Sequence, residues 1–452
     1  MQFNNSQLKA VKHKTGPMLV IAGPGSGKTT VLTARIRNLI EEYSVNPANI
    51  LVITFTKAAA NEMKSRFNNM MGRSTNVTFG TFHAVFFMIL RAAYNYSVDS
   101  IIKEDVRQNI IKQAIERSRL EPDDLNEMVS NITGEISRVK TETIDINAYY
   151  SASCPEEEFR DIYKYYVKTL KKMGLIDFDD MLLYCHELLT TRRDILAKWQ
   201  QKYQYILIDE FQDINKIQYD IIKLLAKPQD NLFIVGDDDQ SIYGFRGSKP
   251  EIMLNFDKDY PDTDKVILDT NYRSTGNIVS AAGKVIAHNK VRFAKNINTV
   301  NDPGDKVDII EFNTQAEEYE KIIDNIRKES ASGGNYSDNA VLFRTNSTAA
   351  GFVRKLVEYS VPFVTRDGVP NVFEHWIARD VITYMNIAMG SRKRSDFLQI
   401  INRPKRYIGR DYLTDAEISF DNLEKYYEDK NWMIERVDRL KYDILAMASM
   451  SP

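Results

Sequence analysis

A glycine-rich run containing a lysine and three hydroxyl residues is the strongest chemical signal in the sequence. MLVIAGPGSGKTT (Met18–Thr30) is an apolar stretch followed by glycines and then by a helical start. In such a loop backbone N–H groups close on phosphate oxygens, the Lys28 ammonium reaches the β- and γ-phosphates, and the Thr29 hydroxyl ligates Mg²⁺. Ala22 stands where the commonest pattern has glycine, so the match is to the relaxed form. The predicted nucleoside triphosphate site comprises Ala22, Gly23, Pro24, Gly25, Ser26, Gly27, Lys28, Thr29 and Thr30.

An acidic pair follows a second apolar stretch. In YILIDEFQD (Tyr205–Asp213) the side chains of Asp209 and Glu210 come directly after the run. A phosphate loop needs such a partner, because one carboxylate completes the Mg²⁺ shell and another orients and deprotonates the attacking water. The pattern therefore predicts that Thr29 and Asp209 are metal ligands and that Glu210 is catalytic. An ordinary surface pair is the alternative, and it is the usual meaning of an isolated Asp-Glu dipeptide.

Three further side chains offer donors or a stacking surface after other apolar runs. Gln240 lies in VGDDDQSIYGFRGS, and Tyr272 and Arg273 lie in LDTNYRS. A guanidinium suits the charge that develops on a transferring phosphoryl group, and a tyrosine ring suits stacking on adenine. Tyr272 as a core aromatic and Arg273 in a surface ion pair remain alternatives. The predicted catalytic set is Lys28, Glu210, Gln240 and Arg273.

The elements that must position these side chains are short apolar runs separated by helical stretches. This pattern is typical of a parallel sheet buried on both faces, in which functional residues follow the carboxyl ends of strands. Between Phe86 and Gly174 no such run appears, and the charged, periodic segments Val106–Leu120 and Glu156–Met173 predict a helical insertion. The predicted strands are Met18–Ala22, Ile50–Thr54, Val77–Phe79, Tyr205–Asp209, Leu232–Gly236 and Val266–Leu268.

A second strand–helix series follows the loop Asn301–Asp305. Its predicted helices are Gln315–Lys328 and Thr348–Tyr359, and from Glu374 onward the pattern is helical and polar. The predicted strands of this series are Val307–Glu311, Ala340–Phe343 and Val361–Thr365.

Bulk composition limits the class of protein. The chain has 452 residues, 43% hydrophobic and 27% charged, which favours a soluble protein of two or more domains. A net charge of -2 gives no global basic field, so nucleic acid would have to bind in a local groove. Two distant cysteines, Cys154 and Cys185, argue against a zinc or disulfide scaffold and fit a reducing cytoplasm. No stretch approaches the roughly 20 apolar residues of a membrane span.

Together these segments resemble the UvrD/Rep/PcrA-like DNA helicases of superfamily 1. The order and spacing of nine motifs agree with that family over roughly Phe3 to Asp367. The segments are FNNSQLKAV (Q motif), AGPGSGKTT (motif I), ITFTKAAANEM (Ia), GTFHAVFF (Ib), LIDFDDML (the DFDD segment), LIDEFQD (II), VGDDDQSIYGFRG (III), LDTNYRS (IV) and AVLFRTNS (the opening of the second motor domain).

The resemblance implies an α/β fold: a P-loop NTPase with a RecA-like parallel sheet, a helical insertion and an incomplete second RecA-like domain. The first motor domain would comprise residues 1–85 and 175–275, with the insertion at 86–174 between them. Residues 276–380 would form part of the second motor domain, and residues 381–452 would begin a second helical insertion.

The resemblance also implies residue roles that the pattern of residues does not assign. Gln7 would recognise the adenine edge, and a set of aromatic and polar side chains would line a track for single-stranded DNA. Aromatic faces stack on successive bases at roughly 1–3 kcal/mol each, whichever base is present. Core packing is the alternative for Phe55, Phe178 and Phe245. The implied DNA track is Phe55, His83, Phe178, Tyr243, Phe245, Arg246 and Asn346.

Two departures from the family pattern carry consequences. Phe245 stands near the usual tryptophan, and Gly244 stands where the family often has arginine, so stacking there would be weaker. No segment resembles motifs V and VI, and motif VI carries an arginine that contacts the γ-phosphate. INRPKRYIGRDYL (Ile401–Leu413) resembles the beginning of the second insertion. The expectation is a portion of a longer helicase whose ATP hydrolysis is impaired.

The expected function is that of an ATP-dependent 3′–5′ DNA helicase and translocase of the cytoplasm. It would use ATP and Mg²⁺ and act on single-stranded DNA and on junctions between single- and double-stranded DNA. The alternative from another class is a non-unwinding, ATP-gated module that binds single-stranded DNA. A helicase–nuclease subunit has little support, since no nuclease motif or four-cysteine cluster is present, and RNA is a less favoured substrate.

Overall fold

The computed structural model describes residues 3–118, 120, 122, 124–244, 247–366, 368, 373, 375–409 and 413–449. The chain divides into two compact units, residues 1–308 and residues 309–452. Unit 1 contains the residues of the predicted nucleotide site.

A parallel sheet forms the centre of unit 1. Its strand order is β3-β2-β4-β5-β1-β6, and every neighbouring pair is parallel. The β1 strand therefore lies between β5 and β6, and the loops that follow these strands meet at one edge of the sheet. This confirms the predicted α/β fold with a parallel sheet. The strands are β1 (Met18–Ala22), β2 (Ile50–Thr54), β3 (Thr78–Thr81), β4 (Tyr205–Ile208), β5 (Leu232–Gly236) and β6 (Asp264–Leu268).

Alternation along the strands explains why the apolar runs are continuous. Leu19 and Ile21 of β1 pack into one core cluster, while Met18 and Val20 pack into a second. Successive side chains of a strand point to opposite faces, so a sheet covered on both faces needs apolar residues at every position. Helices supply that cover on the two sides.

Bounds were predicted for two helices of unit 1: α7 has the predicted bounds Glu156–Met173, and α5 (Glu104–Arg117) differs from the predicted Val106–Leu120 by two or three residues at each end. A capping box between Asn4 and Gln7 starts α1, and another between Asp177 and Asp180 starts α8. Two short strands, β7 (Thr270–Asn271) and β8 (Asn298–Thr299), form a separate parallel pair. The helices are α1 (Asn5–Lys12), α2 (Lys28–Glu41), α3 (Lys57–Met71), α4 (Phe82–Ala93), α5 (Glu104–Arg117), α6 (Leu125–Thr141), α7 (Glu156–Met173), α8 (Phe178–Thr191), α9 (Arg193–Lys202), α10 (Lys216–Ala226), α11 (Pro250–Leu254), α12 (Phe256–Asp259) and α13 (Gly276–Ile286).

The inserted helices α5, α6 and α7 have a core of their own. A buried ion cluster connects them to α8. The Lys140 ammonium lies 2.6 Å from Asp177 Oδ2 and 2.7 Å from Asp180 Oδ1, and the Tyr166 hydroxyl donates to Asp177 Oδ2 at 2.8 Å. Because Asp177 caps α8, this cluster fixes the start of that helix, where Phe178 lies.

Unit 2 is helical in its described residues, and the three strands predicted around it are wrong. The segments Val307–Glu311, Ala340–Phe343 and Val361–Thr365 are irregular, and Leu342 and Val364 are 93% and 97% exposed. A strand is stabilised by pairing with a neighbour more than by its own composition, and none of these segments pairs in a ladder within the described residues. The helices are α14 (Gln315–Ala331), α15 (Asn346–Glu358), α16 (Trp376–Ala388), α17 (Arg394–Ile400), α18 (Phe420–Tyr426) and α19 (Asn431–Ala448).

Among the described residues, none of the helices combines the length and the apolar character needed to cross a membrane.

Candidate functional site

The loop between β1 and α2 depends on glycine. Gly25 and Gly27 have φ of +66° and +84°, and Gly27 caps α2 in a left-handed conformation. A Cβ on Gly25 would lie 2.8 Å from the Arg273 Cβ atom, so the loop also needs space at this point. The free N–H groups of the first turn of α2 face the same region, and a helix N-terminus favours anions.

A cavity of about 370 Å³ lies over this helix start. It gathers residues from the loops that follow β1, β4, β5 and β6, as expected for an open parallel sheet. The predicted site residues Glu210, Gln240, Tyr272 and Arg273 all contribute to the lining. The complete lining is Pro24, Gly25, Ser26, Gly27, Lys28, Thr29, Thr30, Arg66, Glu210, Gln240, Tyr272 and Arg273.

Four predicted residues, Gln7, Ala22, Gly23 and Asp209, lie beside this cavity rather than in its wall. Ala22 is buried in β1, and the Gly23 N–H donates to the Leu268 carbonyl at 3.0 Å. Asp209 is only 5% exposed, and its Oδ1 accepts from the Glu210 N–H at 3.1 Å. Burial, and then the charge of Glu210, raise the pKa of Asp209 to about 6 against the opposing effect of Lys28.

Lys28 and Glu210 form an ion pair in the cavity wall. The Lys28 Nζ atom lies 2.9 Å from Glu210 Oε2, and the same oxygen accepts from Gln212 Nε2 at 2.9 Å. Glu210 has a φ of +51°, a left-handed conformation that is uncommon for a residue with a side chain. A triphosphate would compete with this carboxylate for the Lys28 ammonium.

Gln212 was not predicted as a site residue, although it lies within the acidic motif. Its amide joins two site loops: Nε2 donates to Glu210, and Oε1 accepts from the Asp237 N–H at 3.0 Å. Asp237 in turn accepts from Gln240 Nε2 through Oδ2 at 2.6 Å. A hydrogen-bonded chain therefore runs from Lys28 through Glu210, Gln212 and Asp237 to Gln240, and its two middle members Gln212 and Asp237 were not predicted from the sequence.

Arg66 was also missed. It projects from α3 into the cavity wall and pairs with Glu62 at 2.6 Å. With Lys28 and Arg273 it adds a third cation to the lining. Within the described residues the Arg273 guanidinium makes no ion pair, and the arginine is held by its backbone N–H, which donates to Asn271 Oδ1 at 2.8 Å.

Gln7 and Tyr272 border the glycine-rich loop on another side. Gln7 is buried, and its Nε2 donates to the Ser26 carbonyl at 3.1 Å while its Oε1 accepts from the Asn4 N–H. Tyr272 is 43% exposed, and its hydroxyl accepts from Asn4 Nδ2 at 2.9 Å. The ring has an open face suited to stacking, while both ends of the Gln7 amide already have partners.

The predicted DNA track contains two aromatic pairs in unit 1. Phe55 and Tyr243 are stacked, with centroids 5.0 Å apart and planes inclined by 22°. His83 meets Phe178 edge-on at 5.5 Å, and Phe178 is 51% exposed. Burial lowers the pKa of His83, so its ring is neutral at physiological pH.

The remaining members of the predicted track have no described position in unit 1. Phe245 and Arg246 lie outside the described residues. Asn346 is the first residue of α15 in unit 2.

The fold and the cavity define the class: a P-loop NTPase, with the phosphate loop after β1 and the acidic pair after β4. Residues 3–261 match the family described as UvrD/REP helicase N-terminal domain, and residues 266–430 match UvrD-like helicase C-terminal domain. The chain belongs to the UvrD/REP helicase family.

Relatives of this chain include named helicases. It is 36% identical over 417 residues to the ATP-dependent DNA helicase PcrA of Staphylococcus epidermidis, covering 90% of this chain and 56% of that protein. It is 38% identical over 390 residues to the putative ATP-dependent DNA helicase YjcD of Bacillus subtilis, covering 85% of this chain and 51% of that protein. The chain thus spans little more than half the length of these relatives.

Proposed function

We propose that this chain is an ATP-binding and single-stranded-DNA-binding portion of a 3′–5′ DNA helicase motor. The observation that carries the proposal is the convergence of Lys28, Glu210, Gln240 and Arg273 on one cavity at the carboxyl edge of the sheet. Family membership supports ATP as the nucleotide and DNA as the substrate, including junctions of single- and double-stranded DNA. The 3′–5′ polarity rests on the family resemblance. Two free cysteines, Cys154 and Cys185, support a reducing, cytoplasmic location.

The donor set suits Mg²⁺. The Thr29 hydroxyl and the Asp209 carboxylate are hard oxygen ligands, which Mg²⁺ prefers together with phosphate oxygens. Asp209 is buried and has a raised pKa, so a nearby cation would stabilise its charged form. When bound, Mg²⁺ would neutralise the β- and γ-phosphate oxygens.

Each of the predicted catalytic side chains has its own role in hydrolysis. A triphosphate draws the Lys28 ammonium away from Glu210, which frees that carboxylate to orient a water molecule and take its proton. The water oxygen bonds to the γ-phosphorus as the bond to the β–γ bridging oxygen breaks, which leaves ADP. Gln240 and Arg273 donate to the γ-phosphoryl oxygens, where charge develops.

The two aromatic pairs supply the grip on DNA. Phe55 directly follows β2 and stacks on Tyr243, and the exposed ring of Phe178 at the start of α8 contacts His83 in the first turn of α4, which follows β3. Stacking on these rings tolerates any base and needs little net positive charge, which fits a chain with a net charge of -2.

A second candidate is an ATP-gated DNA-binding module without unwinding activity, since the cavity and the aromatic pairs by themselves require only that ATP and single-stranded DNA bind. Glu210→Gln separates the two. If the chain is a motor, the variant loses DNA-stimulated ATP hydrolysis and keeps ATP binding. If it is a module, wild type has little hydrolysis to lose. Glu42→Gln, at an exposed glutamate, is the matched control. A wild-type chain that binds neither ATP–Mg²⁺ nor single-stranded DNA would contradict both.

A further inference from the structure

The segment 292–299, here called the strap, contacts three loops of the nucleotide site in unit 1. Ile297 packs so closely on the glycine-rich loop that a Cβ on Gly23 would lie 2.3 Å from its Cδ1. The β8 strand at the end of the strap pairs with β7, and the Thr299 hydroxyl lies 2.9 Å from both the Asn271 and Ser274 carbonyls. The strap therefore borders both the phosphate loop and the loop that carries Arg273.

Its strongest contacts are ionic and are made to the loop that carries Gln240. The Lys295 Nζ atom lies 2.6 Å from Asp237 Oδ1, 2.5 Å from Asp238 Oδ1 and 2.9 Å from Asp239 Oδ2. The Lys295 side chain is 1% exposed. Arg292 adds a two-pronged pair with Asp239, with Nε at 2.8 Å and Nη2 at 2.5 Å.

Three carboxylates this close together also resemble a cation site, since one oxygen from each lies within 4.8 Å of the others. The Lys295 ammonium supplies that cation from within the chain. Burial alone would lower the pKa of Lys295, and the three carboxylates raise it above its usual value. The ammonium is therefore charged throughout the physiological range.

The ion cluster acts on the nucleotide cavity through one carboxylate. Asp237 accepts from Lys295 through Oδ1 and from Gln240 Nε2 through Oδ2. The Asp237 N–H is held by Gln212, which also donates to Glu210. Without Lys295, the carboxylates of Asp237, Asp238 and Asp239 would repel one another. The loop that bears Gln240 would then shift from its present position.

We propose that Lys295 is a positioning residue of the nucleotide site: it holds the Asp237–Gln240 loop so that Gln240 can contact the γ-phosphate. The proposal rests on the function proposed above, because it requires that the cavity bind ATP. Lys295 does not line the cavity and reaches it only through Asp237 and Gln240. Because Gln240 is proposed to contact the γ-phosphate, loss of Lys295 should weaken binding of ATP and leave binding of ADP unchanged.

The test compares Lys295→Met with Lys295→Arg in the full 452-residue chain. Binding of fluorescent ADP and of a fluorescent non-hydrolysable ATP analogue is measured with Mg²⁺, together with single-turnover ATP hydrolysis. In Lys295→Met we expect ADP affinity within twofold of wild type, preference for the ATP analogue over ADP reduced about tenfold, and hydrolysis slowed about tenfold to a hundredfold. Lys295→Arg retains the charge and should recover both readouts to within about threefold.

Lys290→Met, at an exposed lysine shortly before the strap, is the matched control and should behave as wild type. The proposal is overturned if Lys295→Met behaves like this control, or if it loses ADP and the ATP analogue equally. If Lys295→Met does not fold, Arg292→Gln decides: a loss of ATP preference of threefold or more supports the proposal, and an unchanged preference overturns it. Wild type that binds neither nucleotide overturns the proposed function as well.

Discussion

The buried contact between Lys140 and the start of α8 gives a quantitative prediction about stability. The Lys140 side chain is 2% exposed, and those of Asp177 and Asp180 are 2% and 8% exposed. Lys140→Met keeps most of the side-chain volume but leaves two carboxylates buried without their cation. Removing one partner of a buried pair costs about 3–5 kcal/mol. We expect about 3 kcal/mol, because both carboxylates keep other hydrogen bonds, among them Tyr166 to Asp177.

Trp199 provides the assay, because it is buried in the core of unit 1. Urea unfolding is followed by its fluorescence in a background of Trp376→Phe and Trp432→Phe, which removes the tryptophans of unit 2. The control is Lys227→Met. Its ammonium also lies 2.7 Å from a carboxylate, that of Asp230, but its side chain is 60% exposed, so its loss should cost about 0–1 kcal/mol.

The pH dependence of this variant has a defined sign. In wild type, burial and the charge of Asp177 raise the pKa of Asp180 to about 6, while Lys140 opposes the rise. Without Lys140 that opposition disappears, and the pKa values of the buried carboxyl groups in the folded variant rise further. The folded variant therefore keeps protons on these groups at pH values where the unfolded chain, whose carboxyl groups titrate near pH 4, has released them. The cost of Lys140→Met should therefore shrink as pH falls from 8 to 5. A second check is Lys140→Met combined with Asp177→Asn and Asp180→Asn, which should recover most of the loss. A cost at pH 8 no larger than that of Lys227→Met would refute the reasoning.

Two further predictions concern the metal and DNA sites. The Asp209 carboxylate is charged only above about pH 6 in the nucleotide-free protein, so Mg²⁺–ATP affinity should fall roughly tenfold per pH unit below that value. Asp209→Asn should flatten this dependence in a titration by calorimetry, and an equal slope in both proteins would contradict the assignment. Phe178→Ala should weaken binding of a fluorescent oligothymidylate by roughly 1–3 kcal/mol. Tyr150→Ala, at a ring 77% exposed in the insertion, should leave DNA affinity unchanged, and equal effects would exclude stacking on Phe178.

Local patterns in the sequence were sufficient to predict the strands that form the sheet of unit 1. β1, β2 and β5 have the predicted bounds, and the other strands of that sheet differ by only a few residues. A strand buried on both faces is apolar at every position, so the pattern is visible without knowledge of its neighbours. The same reasoning placed the cavity-lining residues, because side chains that follow parallel strands meet at one edge of the sheet.

The contacts that could not be predicted join residues that are distant from one another in the sequence. Lys140 lies 37 residues before Asp177, and Lys295 lies 58 residues after Asp237. In the sequence each is an ordinary lysine, and only the fold brings it to its carboxylates. Arg66 reaches the cavity from an amphipathic helix on which charged residues are common. The strands predicted around unit 2 failed for a related reason: apolar composition favours a strand, but backbone pairing is what forms it.

The backbone conformation of Glu210 lowers the stability of the fold at a residue that the proposed catalysis requires. Its left-handed backbone is one that glycine adopts freely and that costs a residue with a Cβ on the order of 1 kcal/mol. Glycine would thus be more stable than glutamate at position 210, although the proposed chemistry demands a carboxylate there. A substitution chosen only to stabilise the fold at this position would therefore remove the carboxylate on which the proposed hydrolysis depends.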